Sequence, residues 1–156
     1  MEIADLIKPP CVIAALRVSD KEQLLRELSG RAERLLSIES QTILDALRSR
    51  ETLGSTGVGQ GIALPHARLA GLREFFGLFA RLDRPIEFDA IDERTVDLVF
   101  LLLIPEEAGD DHLAALACIS RKLRNPAVAQ ALRAARNAPE LYNSLTLAEP
   151  DIVQCD

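Results

Sequence analysis

Apolar positions change their spacing along the chain and set helical ends around a strand-rich middle. Leu24, Leu25, Leu28, Ala32 and Leu35 recur every three or four residues, after Ser19 and Glu22 in a capping-box pattern. A second helical stretch follows Leu36 and Ser37 and runs to about Glu51. Ile43, Leu44 and Leu47 form its stripe, Arg48 and Arg50 sit in its last turn, and Gly54 stops it. The period then shortens. Residues 62–64 predict a short strand ending at Pro65-His66. Residues 75–82 set Phe76, Leu78, Ala80 and Leu82 against Phe75, Gly77 and Phe79, and residues 98–104 are apolar on both faces up to Pro105. A strand apolar on both faces belongs in a sheet covered by helices. Helical spacing returns over residues 110–124, with Leu113, Leu116, Ser120 and Leu123 along one side. Asn125-Pro126 and Asn137-Ala138-Pro139-Glu140 each start a further helix, with Asn as cap and Pro in the first turn. The pattern predicts one α/β domain over residues 1–156, with helices around a central mixed β-sheet and a frayed end at 148–156.

Composition removes several function classes. Apolar residues make up 48% of the chain and aromatic residues 4%, and 18 Lys and Arg stand against 24 Asp and Glu for a net charge of −6. Apolar content spread along the whole length argues against disorder. The acidic balance and the scarcity of rings argue against a dominant nucleic-acid role. The longest apolar run, residues 98–104, is far short of the roughly 20 residues that cross a bilayer. The N-terminus starts acidic, without the apolar stretch of a secretory signal. Cys11, Cys118 and Cys155 are odd in number and contain no CxxC pair, so they predict neither a disulfide framework nor a zinc site. Cys118 reads as a buried, inert thiol. A cytoplasmic protein is the expectation.

The chemistry concentrates near the middle. Four of the eight glycines, Gly54, Gly57, Gly59 and Gly61, fall in one eight-residue loop. Gly54 and Gly59 have Walker A spacing, but Gln60 and Gly61 stand where that motif needs Lys and Ser/Thr, and the alternating glycines do not make GxGxxG. On glycines alone, a tight connection and a phosphate-approach loop are equally good readings. The chain has two histidines. His66 follows Pro65, which ends the preceding strand and presents the imidazole at a rim. His112 lies near a helix start, where the macrodipole disfavours an imidazolium and favours an incoming anion. Two histidines without spaced Cys or acidic partners predict no metal site. Glu106-Glu107 and Asp110-Asp111 read as a solvated loop and a helix cap. Ser55 lacks the GxSxG surroundings of a hydrolase nucleophile. What remains is a neutral imidazole acting as nucleophile towards a phosphoryl group, with Arg and a helix N-terminus holding the charge.

Arg50-Glu51-x-x-Gly54-Ser55-Thr56-Gly57-Val58-Gly59-Gln60-Gly61-Ile62-Ala63-Leu64-Pro65-His66-Ala67-Arg68 resembles the active-site signature of the fructose/mannitol-type IIA domains of the bacterial phosphoenolpyruvate-dependent phosphotransferase system. It is most similar to their nitrogen-regulatory branch. Residues 85–92 and 96–105, His112-Leu113 and Glu140-Leu141-Tyr142 extend the likeness over roughly residues 3–147. The resemblance implies a mixed sheet with helices on both faces. It also implies that His66 accepts a phosphoryl group from a phosphohistidine on an HPr-like (NPr) carrier, and that His112 beside it supports the phosphorylated form. Arg50 would contact the phosphoryl oxygens, with Thr56 as a weaker hydroxyl contact. No metal, nucleotide or other cofactor is implied. Gln60 stands where Asn is common, Val58 where Ile is common and Thr95 where Pro is frequent, which touches the branch more than the chemistry.

Three readings follow. One is a nitrogen-type regulatory phosphocarrier whose output is binding to downstream protein partners according to its phosphorylation state. Another is a sugar-type IIA that passes the phosphoryl group to a separate IIB; the lack of an appended IIB, HPr or membrane domain favours the first. The third is an interaction module with no working phosphorylation, against which the joint presence of Arg50, His66 and His112 argues. The net charge suggests an acidic surface around His66 that attracts a basic carrier, with Arg50 as the local positive charge.

Overall fold

The structure, a computed structural model, describes residues 1–147. The expected frayed end at 148–156, which includes Cys155, lies outside the described residues. A 3-10 turn at Ile3–Asp5 leads into β1 (Ile7–Leu16), α1 (Lys21–Leu36) and α2 (Ser40–Thr52). Five strands follow: β2 (Gly57–Gly59), β3 (Ile62–Ala63), β4 (His66–Leu69), β5 (Phe76–Ile86) and β6 (Val96–Pro105). Three helices, α3 (Asp111–Arg124), α4 (Pro126–Ala134) and α5 (Ala138–Thr146), complete it.

The strand order is β1-β5-β6-β3-β2, with β4 also paired to β6. β1 runs parallel to β5, and β3 and β4 run parallel to β6, while the β5–β6 and β2–β3 pairs are antiparallel. The sheet is therefore mixed, as expected. Successive strand residues point to opposite faces. Leu98 through Leu103 on β6 are all 0% exposed, so both faces of the sheet are covered. Phe79 and Phe100 pack in a tilted pair at the centre, 6.4 Å between ring centroids.

Several elements differ from the sequence expectation. The apolar pattern predicts no strand over residues 7–16, because Pro9 and Pro10 interrupt it, yet β1 forms there. It is an edge strand with an irregular register between Ile7 and Val12, where missing N–H groups cost no central ladder bond. The cap of α1 is Asp20, whose carboxylate accepts from Gln23 N at 2.8 Å, while the Ser19 N–H donates to the Gln23 side chain. Leu35 belongs to the surface at 48% exposure. β5 runs past Pro85 to Ile86, across a register shift with β6 that frees the proline from donating. The stripe of α3 is also rotated. Ala115, Ile119 and Leu123 face the core with Cys118 beside them, whereas Leu113 is exposed. The Asn125 and Asn137 caps are as read, each side chain accepting from a first-turn amide at 2.9 Å.

Cys11 and Cys118 are free, buried thiols whose pKa values burial raises. Arg81, in the middle of β5, turns to the end of α4 and donates to the carbonyls of Leu132 and Ala135 at 2.9 and 2.6 Å. A cation at that helix end complements its dipole and its unpaired carbonyls. Among the described residues no helix is long and apolar enough to cross a membrane.

Candidate active site

The last turn of α2 sends two adjacent side chains in different directions. Glu51 turns inward and is only 7% exposed, paired with Lys21 Nζ at 2.9 Å. It accepts from the Thr56 amide at 3.1 Å and from the Thr56 hydroxyl. Lys21 also lies 4.5 Å over the Phe88 ring. The end of α2, the start of α1 and the start of the glycine loop are thereby tied together. Thr56 spends its hydroxyl on this anchor and does not line the groove that holds the histidines.

The glycine loop serves the chain's own backbone. A Cβ on Gly57 would sit 2.8 Å from Ala90 Cα, and the Gly57 carbonyl accepts from Ile91 N at 3.2 Å. Only glycine allows that approach. Of the two readings left open, the tight connection holds for Gly57. Gln60, at φ 60, adopts the left-handed conformation that Asn tolerates better.

β3 and β4 lie in line along β6, interrupted at Leu64-Pro65, and the Pro65 carbonyl still accepts from Leu102 N at 2.9 Å. The strand thus resumes at His66 instead of ending there. At the interruption the Leu64 carbonyl accepts from His66 Nδ1 at 2.8 Å. A carbonyl can only accept, so Nδ1 carries the proton. Arg50 Nε approaches His66 Nε2 at 3.3 Å, and a guanidinium can only donate, so Nε2 holds the lone pair. The two contacts agree on one neutral tautomer. Burial, chiefly, lowers the His66 pKa; the Leu64 carbonyl opposes this and the Arg50 charge reinforces it.

His66 opens onto a groove of about 460 Å³, which Arg50, Leu53, Arg68 and His112 also line. His112 sits in the first turn of α3. Its Nδ1 lies 2.9 Å from Arg68 Nη2 and 3.1 Å from the Gly109 carbonyl. Three of the four expected site residues, Arg50, His66 and His112, therefore meet in one groove, while Thr56 stands behind it. The sequence pattern assigns Arg68 no role. Residues i and i+2 of a strand share a face, so a strand beginning at His66 places Arg68 on its side; reading the strand as finished at Pro65 hid this. The groove lining holds two guanidinium groups and no carboxylate. The exposed Glu106, Glu107, Asp110 and Asp111 lie in the segment next to it. Among the described residues no group of three or more His, Cys, Asp or Glu is placed to hold a metal.

Comparison with known proteins gives consistent results. Residues 5–147 match the family described as phosphoenolpyruvate-dependent sugar phosphotransferase system, EIIA 2. The chain is 50% identical over 147 residues to a protein of Bradyrhizobium diazoefficiens named nitrogen regulatory protein, covering 94% of this chain and 96% of that one. The crystal structure of nitrogen regulatory protein IIA-Ntr from Neisseria meningitidis superposes with a TM-score of 0.87 at 35% identity, over 92% of this chain and 99% of that one. The mannitol IIA structure from Escherichia coli shares the fold, with a TM-score of 0.74 at 17% identity over 89% of this chain and 98% of that one.

Proposed function

The chain belongs to the phosphoenolpyruvate-dependent sugar phosphotransferase system EIIA 2 family, and we propose that it is a phosphohistidine carrier of the nitrogen-regulatory type. In this reading the chain acts as one cytoplasmic IIA domain. His66 accepts a phosphoryl group from an HPr-like (NPr) phosphocarrier, and the phosphorylation state governs binding to a downstream protein. The observation that carries the reading is the neutral His66 ring, with its Nε2 lone pair towards Arg50 in the groove it shares with His112.

The chemistry balances without a metal or an external base. The Nε2 lone pair attacks the phosphorus of the carrier's protonated phosphohistidine, the new P–Nε2 bond forms, and the carrier's P–N bond breaks with its electron pair returning to that imidazole. His66 keeps its Nδ1 proton and becomes a phosphoimidazolium, whose bond to the Leu64 carbonyl becomes charge-assisted. Attacking and leaving nitrogens are nearly equivalent, so alignment and charge stabilisation at the equatorial oxygens are what the protein must supply. Arg50 gives up its bond to Nε2 and turns its guanidinium to those oxygens. Thr56 stays with Glu51.

Intact-mass measurement after incubation with phosphoenolpyruvate, enzyme I and an HPr-like carrier tests the reading. One acid-labile, base-stable phosphoryl group on the wild type and none on His66→Ala is expected. Equal labelling of both would remove His66 from its role, and no labelling of folded wild type would favour a pure interaction module. The nitrogen branch of the reading draws support from the relatives' names. Efficient passage of the phosphoryl group to a sugar-type IIB would replace it with the transport reading.

A further inference from the structure

Arg68 is the guanidinium of the groove whose hydrogen bonds all go to the segment carrying His112. Its Nη1 donates to the Glu106 carbonyl at 3.2 Å, and its Nη2 donates to the Gly109 carbonyl at 2.6 Å and reaches His112 Nδ1 at 2.9 Å. We infer that Arg68 is a positioning residue that holds His112 as its Nε2–H tautomer, so that the ring meets the phosphoryl group as a hydrogen-bond donor. The inference rests on His66 being the phosphorylated residue.

Two alternatives exist for the His112 ring, and the contacts separate them. With the proton on Nδ1, the ring would donate to the Gly109 carbonyl at 3.1 Å, but that N–H would meet an Arg68 N–H at 2.9 Å. Two donors cannot share that contact, and arginine does not give up its proton. With Nδ1 bare, the ring accepts one Nη2 hydrogen while the other goes to Gly109, and no two donors face each other. A neutral ring bare at Nδ1 carries its proton on Nε2.

The two histidines are then held in opposite tautomers, His66 by the Leu64 carbonyl and Arg50, His112 by Arg68. His66, protonated on Nδ1 through Leu64 and facing Arg50 with Nε2, is the nucleophile. His112, bare at Nδ1 through Arg68, keeps a hydrogen on Nε2 for a phosphoryl oxygen. A groove with two nucleophilic lone pairs would accept the phosphoryl group at either ring; the opposed tautomers leave one acceptor and one donor.

The test has two arms. In unphosphorylated, ¹⁵N-labelled protein at pH 8, long-range ¹H–¹⁵N correlations of His112 are expected to show the Nε2–H pattern. In Arg68→Met the pattern is expected to shift towards Nδ1–H, as Gly109 becomes free to accept. A wild-type Nδ1–H ring, or one unchanged by Arg68→Met, would overturn the inference. In the transfer assay, Arg68→Met is expected to slow phosphoryl acceptance by about 10- to 100-fold, the range for loss of a residue that orients another. In a His112→Ala background the same change should have little further effect. An equal further loss there, or full recovery in Arg68→Lys, would mean that Arg68 acts on the phosphate as a bare charge. If wild type takes up no phosphoryl group at all, the phosphocarrier reading falls, while the tautomer measurement still reports on Arg68.

Discussion

Arg50 Nε donates to His66 Nε2 at 3.3 Å, so in the proposed transfer the attacking nitrogen is held by the cation that then takes the phosphoryl oxygens. The guanidinium is itself braced by the Gly54 carbonyl, which accepts from Nη1 at 2.9 Å. The lone pair of a neutral ring is thus already directed at Arg50 before a carrier arrives. Arg50→Met is expected to lower phosphoryl acceptance by about 10²–10³-fold, the effect of removing one preorganised donor. Arg50→Lys should recover little, because an ammonium cannot brace on Gly54 and reach the ring with the same planar fork. Single-turnover labelling measures both, and near-wild-type rates for the lysine variant would reduce Arg50 to a diffuse charge.

The same environment fixes the sign of the pH dependence. Burial, mainly, holds the folded His66 below its ordinary 6.5, so the ring remains a competent nucleophile at pH values where a solvated histidine is already half protonated. Acceptance is therefore expected to fall with falling pH at lower pH than it would for a solvated histidine. Stability follows the same group. Between the folded pKa and the unfolded value near 6.5, the unfolded chain binds more protons, so the His66 contribution is complete above 6.5 and is lost as pH falls through that window. Chemical denaturation across this range should show a slope in wild type that is smaller in His66→Gln. Equal slopes would mean that the ring is not held neutral.

Thr56 separates a binding role from an architectural one. Its amide and hydroxyl both go to Glu51, a carboxylate buried against Lys21. Thr56→Val removes the hydroxyl at nearly constant volume and leaves that carboxylate short of a donor, which costs about 1–3 kcal/mol. The expected outcome is a clear drop in melting temperature with phosphoryl acceptance within a few-fold of wild type at low temperature. A collapse of acceptance without loss of stability would restore Thr56 as a phosphate contact.

What could be read from the chain depended on whether an element announces itself locally. α1 and α2 carry apolar stripes and α4 and α5 carry Asn caps in their own residues, and β6 is apolar enough to demand cover on both faces. β1 was invisible because Lys8-Pro9-Pro10 looks like a loop, and its strand character comes from pairing with β5. The α3 stripe is rotated from the expected one: Leu113 is exposed and Leu116 only partly buried, while Ala115, Cys118 and Ile119 face the core. In the site, Arg50, His66 and His112 stand in a recognisable pattern of residue types. Arg68 became legible only once the strand was known to resume after Pro65, since its partners Glu106, Gly109 and His112 lie about 40 residues away. Arg81 was hidden for the same reason, as the carbonyls it caps belong to α4, some 50 residues further on.

Leu53 follows α2 with 83% of its surface exposed and lines the groove of Arg50 and His66. Leu113, next to His112, is 59% exposed. Leucines bordering a basic centre have no packing role in the isolated domain, and covering them releases water when a carrier docks over His66. Leu53→Ser is expected to raise the KM for the carrier roughly tenfold, a loss of about 1–2 kcal/mol typical of an interface side chain. kcat and melting temperature should hold, because Leu53 touches neither the reacting atoms nor the core. Steady-state transfer at varied carrier concentration separates the two parameters. A small-molecule phosphoryl donor supplies the control, since it needs no docking surface and should label the variant as fast as wild type. An unchanged KM would place the carrier's contacts on the acidic segment from Glu106 to Asp111, in which case raised salt, not loss of Leu53, would weaken the encounter.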